Sequence, residues 1–293
     1  MTKRLEGIFA PVITPFEAGS EELDLAGFGR NVQAHLAEGL AGIVVAGSTG
    51  EAALLTETER RALLTTAREH IPADRWLIAG CGAESTKQTV ARCVVAQEAG
   101  ADAELVVAPH YYASAMSEEV LRAHYRRVAD ESPLPVLLYN IPKYAHFALP
   151  AELVAELAQH QNVIGIKDSS GVIEMLKGYL RAQSGSFTVL TGSGSGLQAG
   201  LEAGARGGIL AVSLFAAGFA LEVMRELADG NAKAAAVAQA RLKPMADVIV
   251  AKLGVPGVKA AMDLVGHVGG APRMPLLPLD AVGRDEVAAA LRG

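Results

Sequence analysis

A lysine at position 167 closes the short apolar run Val163-Ile164-Gly165-Ile166 and is followed by Asp168, Ser169, Ser170 and Gly171. The run is β-branched and unbroken by charge, as a strand buried on both faces should be. A lysine at the end of such a strand sets its amine at the mouth of a core. Burial there disfavours the ammonium and favours the neutral amine, a nucleophile whose natural target is a carbonyl. Alone, such a lysine equally reads as one that carries its head out to water. A second residue changes the balance. Tyr139 ends the run Val136-Leu137-Leu138, one strand earlier. Neighbouring strands lie about 5 Å apart, so the phenol and the amine share a rim. A phenol beside an amine is a proton shuttle for forming and breaking a carbinolamine.

Two glycine-rich stretches end other strand candidates. Gly47-Ser48-Thr49-Gly50 should expose consecutive backbone N–H groups with two hydroxyls beside them, a nest suited to a carboxylate; a plain capped turn is the simpler alternative. Gly192-Ser193-Gly194-Ser195-Gly196 could hold phosphate, as loops after the seventh and eighth strands of barrels do, but glycines also simply serve turns. Gly192 and Ser213, at the ends of the seventh and eighth strand candidates, complete the expected substrate contacts.

The elements that must position these residues alternate along the chain. Strand candidates are Ile8–Ile13, Gly42–Ala46, Trp76–Ala79, Glu104–Ala108, Val136–Tyr139, Val163–Lys167, Phe187–Leu190 and Gly208–Val212. Helical patterns lie between them. Leu25, Phe28, Val32 and Leu36 form one helix face. Thr56 with Glu59 makes a capping box. Ser85 or Thr86 and Ser117 cap the next two helices, and Pro150 fits a first helical turn. Eight strands alternating with helices predict an α/β fold, a (β/α)8 TIM barrel over residues 1–225. The typical barrel length leaves a surplus of about forty residues; it sits at the C-terminus, where a helical extension is predicted over 226–293, with helices over Asn231–Val250, Val255–Val265 and Asp285–Leu291.

Bulk properties exclude several function classes. Of 293 residues, 51% are hydrophobic, ample for one large core. Lysine and arginine number 26 against 32 acids, a net charge of −6 with no basic block, which argues against nucleic acid as a partner. Two cysteines, Cys81 and Cys93, suggest no disulfide framework and fit the cytoplasm. An acid and two prolines near the start argue against a signal peptide. Gly207 to Met224 is nearly uncharged but broken by glycines, and reads as a buried strand and helix, not as a membrane span. Of seven histidines only His110 lies at the expected rim, too few for a metal-dependent aldolase, so no metal is expected.

Gly47-Ser48-Thr49-Gly50-Glu51, Tyr111-Tyr112, Tyr139-Asn140-Ile141-Pro142 and Gly165-Ile166-Lys167-Asp168 together resemble the dihydrodipicolinate synthase / N-acetylneuraminate lyase family of Schiff-base aldolases, from about Gly7 to Leu279. The resemblance implies that Lys167 forms an imine with pyruvate or a related 2-oxo acid, without a cofactor. It implies that Tyr139 relays protons, that Ser48 and Thr49 bind the carboxylate, and that Ser48 hydrogen-bonds Tyr139. It also implies that Tyr112 enters a neighbouring subunit's site in a homo-oligomer built as a dimer of dimers.

The sequence departs from the synthase branch, which carries an arginine two residues after the Tyr-Asn-x-Pro proline. Here Tyr144 stands in that place. Lys143 is expected to point away from it in an extended segment. Ala83-Glu84-Ser85-Thr86, Gly254-Val255-Pro256-Gly257-Val258-Lys259 and Gly269-Gly270-Ala271-Pro272-Arg273 look more like the 4-hydroxy-2-oxoglutarate aldolase branch, although that branch often has Asn at the place of Thr49. The leading expectation is therefore a lyase acting on 4-hydroxy-2-oxoglutarate or a similar 2-oxo acid. The alternatives are a 4-hydroxy-tetrahydrodipicolinate synthase condensing pyruvate with aspartate semialdehyde, a 2-keto-3-deoxy sugar acid aldolase or N-acetylneuraminate lyase, and a non-catalytic 2-oxo acid binding protein.

Overall fold

The structure is a computed structural model, which describes residues 3–292. Eight parallel strands close into a barrel in sequence order: β1 (Gly7–Pro11), β2 (Gly42–Val45), β3 (Trp76–Gly80), β4 (Ala103–Val107), β5 (Val136–Asn140), β6 (Val163–Asp168), β7 (Thr188–Thr191) and β8 (Gly207–Ile209). Around them run α1 (Leu25–Ala37), α2 (Glu57–His70), α3 (Thr86–Glu98), α4 (Glu118–Glu131), the single turn α5 (Pro142–Ala145), α6 (Ala151–Leu157), α7 (Ile173–Leu180), α8 (Leu197–Ala203) and α9 (Ser213–Ala228). The extension consists of α10 (Ala232–Met245), a π-helical turn (Ala246–Lys252), α11 (Gly254–Leu264) and α12 (Ala281–Arg292). The expected (β/α)8 barrel with a C-terminal helical extension is the fold this chain adopts.

Two cores explain the unbroken apolar runs. Inward residues such as Phe9, Val44, Ile78, Leu105, Leu137 and Leu190 fill the lumen. Their neighbours on the same strands, such as Ile8, Ile43, Leu77, Val106 and Leu138, pack outward beneath the helices. A strand apolar on both faces belongs in a parallel sheet that is covered on both sides, as here. Local signals fix the helix starts: Thr56 and Glu59 form both halves of a capping box, and Ser85 and Ser117 accept from the Gln88 and Val120 amides. Each such cap stabilises its helix by about 1 kcal/mol.

Three of the boundaries that differ from expectation lie near the barrel mouth or the start of the extension. β8 stops at Ile209, because the Ser213 backbone N–H and hydroxyl both donate to the Leu210 carbonyl and turn the chain into α9. α9 runs through residue 225, where the barrel was expected to end. The helix predicted over Asn231–Val250 carries Pro244 near its end and passes into the π-helical turn over the barrel mouth. Proline removes a backbone donor and disrupts the regular ladder, and such widened turns recur at functional sites. The extension shares the outer core, with Leu242, Met245, Ile249, Val258 and Met262 buried in it. Among the described residues, no helix is long and apolar enough to cross a membrane.

Candidate active site

The site begins with an irregularity in β6. Val163 pairs with Val136, both facing the outer core, but the next pair is Gly165 with Leu137, which leaves Ile164 as an extra residue. Side chains alternate with a period of two, so one inserted residue reverses every side chain beyond it. Without that bulge Lys167 would face the helices. With it, Lys167 pairs with Tyr139 in register, and both point into the lumen at the carboxyl ends of the strands. Both are 5% exposed. The Lys167 Nζ donates to the Tyr139 hydroxyl at 3.2 Å and lies 4.3 Å from the centre of its ring.

The next pair in register, Asn140 and Asp168, points outward and holds the two strands together. Asn140 donates to the Asp168 carboxylate at 2.8 Å and accepts from the Leu149 amide at 3.0 Å, while Ser170 donates to Asp168 through both its amide and its hydroxyl. Burial raises the Asp168 carboxyl above the usual range, and the donors from Asn140 and Ser170 work against that rise.

After β2 the chain makes a 3₁₀ turn, Ser48–Gly50. Non-glycine residues in the left-handed region bracket it: Ala46 at φ 55° and Glu51 at φ 57°. Backbone strain of this kind costs about 1–3 kcal/mol per residue and clusters at binding sites. The Gly47 carbonyl accepts from Gly50 and Ala52, whereas the amides of Ser48 and Thr49 take no acceptor among the described residues. Ser48 and Thr49 line a cleft of about 470 Å³ together with Tyr139, Lys167 and Gly192. Gly192 permits close approach of the next loop, since a Cβ there would lie 2.0 Å from the Ser169 hydroxyl. The extension supplies a further part of the wall, through Ala246, Val250, Ala251, Val255 and Val258.

Several expectations need correction. Lys143 does not point away. Residues 142–145 form the helical turn α5, not an extended segment, so Lys143 and Tyr144 both line the cleft, and the Lys143 Nζ donates to the Ala251 carbonyl at 3.0 Å. Burial, with the Tyr139 phenol close by, raises the Tyr144 phenol and keeps it a donor. Ser213 is fully buried, its hydroxyl spent on Leu210, and it does not line the cleft. Gly47 shapes the turn without lining the cleft. Among the described residues no hydrogen bond joins Ser48 to Tyr139. Tyr112 is 68% exposed, packs edge-on against Tyr111 at 5.0 Å and stands apart from this chain's own cleft. The loop 192–196 is tied to the extension: the Ser195 hydroxyl donates to Asp247, and Gln239 donates to the Gly194 and Ser195 carbonyls. His110 hydrogen-bonds the Ala108 carbonyl and faces Glu84 at 3.3 Å. The described residues gather one group with metal-ligating atoms, Cys81, Cys93 and Glu104; it is buried outside the barrel wall, away from the cleft.

Glu51, beside the cleft-lining turn, has no assignment from sequence, and neither do lining residues such as Pro11, Ile141, Ser169 and Val212. Glu51 is 3% exposed and pairs with the equally buried Lys259 of α11 at 2.6 Å. A charge immediately after a glycine-rich turn is the only signal the sequence offers for it.

Comparison with known proteins agrees with this geometry. A model of the Dihydrodipicolinate synthetase family matches residues 4–293. A 4-hydroxy-tetrahydrodipicolinate synthase from Stenotrophomonas maltophilia is 38% identical over 278 residues, 94% of this chain and 92% of the relative. The crystal structure of a dihydrodipicolinate synthase from Bacillus anthracis superposes with a TM-score of 0.95 at 27% identity, covering 100% of this chain and 99% of that one. YagE, a prophage protein of the same family from E. coli K12 solved in complex with pyruvate, is 30% identical, with a TM-score of 0.92 and 98% of each chain covered. By sequence over nearly its whole length and by fold, the chain belongs to the dihydrodipicolinate synthetase family and is a lyase of the Schiff-base aldolase type.

Proposed function

We propose that this lyase condenses pyruvate, held as an imine on Lys167, with an aldehyde that carries a carboxylate. The observation that carries the reading is the Lys167 amine 3.2 Å from the Tyr139 hydroxyl at the lumen mouth. The amine attacks the keto carbon of pyruvate, and Tyr139 relays the protons by which the carbinolamine loses water. The iminium then acts as an electron sink: a C3 proton leaves through the Tyr139 relay, the enamine attacks the aldehyde carbon, the new alkoxide takes up a proton, and water hydrolyses the product imine to free Lys167. That sequence needs no metal or further cofactor. The free amides and hydroxyls of Ser48 and Thr49 suit the pyruvate carboxylate.

Aspartate semialdehyde is the aldehyde favoured here over the cleavage of 4-hydroxy-2-oxoglutarate. The synthase names of the relatives support that choice, and so does Lys143, which brings a second lysine into the cleft wall. The 4-hydroxy-2-oxoglutarate reading keeps one observation in its favour, the neutral Tyr144 in place of arginine. Exposed Tyr111 and Tyr112 fit a homo-oligomer, a dimer of dimers in which Tyr112 meets a neighbour's cleft. The free thiols of Cys81 and Cys93 fit a reducing cytoplasm.

Borohydride reduction in the presence of pyruvate tests the chemistry. Covalent mass should appear on the peptide carrying Lys167, and its absence, or its appearance elsewhere, would sink the assignment. The kcat/KM values for aspartate semialdehyde with pyruvate and for 4-hydroxy-2-oxoglutarate, on one preparation, decide between the substrates.

A further inference from the structure

The turn that offers Ser48 and Thr49 to the cleft is not held by the barrel alone. On one side the Thr14 hydroxyl, beyond the end of β1, donates to the Gly50 carbonyl at 2.7 Å. On the other side Glu51, whose amide closes the turn on the Ser48 carbonyl, sends its side chain into the interface with the extension. There its carboxylate meets the Lys259 Nζ at 2.6 Å and accepts from the Arg273 amide at 2.8 Å. Lys259 also donates to the Ala271 carbonyl at 2.8 Å. The Phe16 ring lies between the two cations, 4.5 Å from Lys259 and 4.3 Å from Arg273. Arg273 in turn grips Glu59 and the Leu54 carbonyl.

A fully buried ion pair is a poor way to add stability, since a packed apolar pair does as well or better, but it fixes geometry because a displaced charge has no substitute partner. The position it fixes is informative. Glu51 is held in the left-handed region, a conformation a non-glycine residue keeps only when its surroundings enforce it. Releasing the side chain removes that enforcement and lets the turn relax, and the amides of Ser48 and Thr49 lose their shared direction.

We propose that Lys259 and Glu51 are positioning residues through which the C-terminal extension holds the carboxylate-binding turn Ser48–Thr49 in its binding geometry. The proposal rests on the carboxylate role given to that turn above. Its chemical consequence is specific: the pair governs recognition of the pyruvate carboxylate and leaves the amine chemistry of Lys167 intact.

The test uses the full chain and two ketones, pyruvate and its neutral methyl ester, each trapped with borohydride over a concentration series. Lys259→Met should raise the concentration of pyruvate needed for half-maximal trapping by about tenfold or more, as loss of charge-assisted contacts does. It should leave the ester unchanged within about threefold, so that the preference for pyruvate collapses. Glu51→Gln should act in the same direction. Thr14→Val removes the barrel-side anchor without touching the ion pair and should reproduce the loss of preference; Glu51→Gln decides the matter if Lys259→Met fails to fold. A folded Lys259→Met or Glu51→Gln variant with the wild-type preference would overturn the proposal, as would equal weakening of both ketones. A wild-type protein that forms no adduct on Lys167 would overturn the Schiff-base reading itself, and this proposal with it.

Discussion

Glu104 offers a quantitative check on the wall of the barrel. Its carboxyl is fully buried on the outer face of β4, accepts from the Ser132 hydroxyl at 2.7 Å, and leaves its other oxygen without a hydrogen-bond partner. Burial raises it from an ordinary 4.5 to about 7, against the opposing pull of the neighbouring Cys93 thiol and Ser132 hydroxyl. Below about pH 4.5 the carboxyl is neutral in the folded and unfolded chain alike, and it costs nothing electrostatically. Between 4.5 and 7 the unfolded chain ionises first, so the folded state binds more protons and stability falls as pH rises. Above 7 the penalty is complete. At about 1.4 kcal/mol per tenfold change, the rise from 4.5 to about 7 amounts to about 3 kcal/mol. Glu104→Gln keeps the shape and an acceptor for Ser132 but cannot ionise. Its stability should match the wild type near pH 4.5 and exceed it by about 3 kcal/mol at pH 8. That difference is about 5 °C in Tm if the whole chain unfolds together. Thermal melts of both proteins across this range, at one protein concentration, make the comparison. Parallel pH profiles for the two would refute the reasoning.

Three further outcomes are expected. Tyr139→Phe should slow turnover by about a hundredfold or more, as loss of a positioned proton shuttle does, with a smaller change in pyruvate binding; steady-state kinetics at saturating pyruvate read it. Lys143→Met should raise KM for the carboxylate-bearing aldehyde by about tenfold to a hundredfold, the equivalent of about 1.5–3 kcal/mol, while borohydride trapping of pyruvate stays as in the wild type; an unchanged aldehyde KM would remove Lys143 from the site. Arg273, and after it the amide and hydroxyl of Thr56, hold the Glu59 carboxyl at about 2. The stability this provides is present above the unfolded value of 4.5 and is lost as pH falls towards 2, so Glu59→Gln should lower the denaturation midpoint at pH 7 and flatten its dependence on pH over that acid range.

The barrel was legible because strands buried on both faces and capped helices each leave a local mark. The lumen pair was legible in type, a lysine and a tyrosine closing adjacent strands, but not in orientation. Val163, Ile164 and Ile166 are equally apolar, so nothing in the run reveals that Ile164 is the extra residue and that the lysine therefore turns inward. An extended segment after Pro142 misplaces Lys143, although proline at the first position of a helix is the signal for the turn that forms. Ser213 was misplaced because an apolar run does not mark where a strand yields to a helix. Glu51 and Lys259 could not be paired from sequence at all, since only the folded chain brings them together.

That pairing also sets an order on synthesis. Glu51 leaves the ribosome early, but its backbone partner, the Arg273 amide, lies 222 residues later in the chain. At about 5–20 residues per second, roughly 10–45 s separate the two. During that interval β1 to β8 can all be made, with Lys167 and Tyr139 already in the chain, while the turn at Ser48 has its Thr14 anchor but still lacks the one from the extension. A chain cut short before Lys259 would carry the reactive amine without the buried pair that braces the turn beside it. In a growing chain, then, the brace arrives last, after the nucleophile it serves.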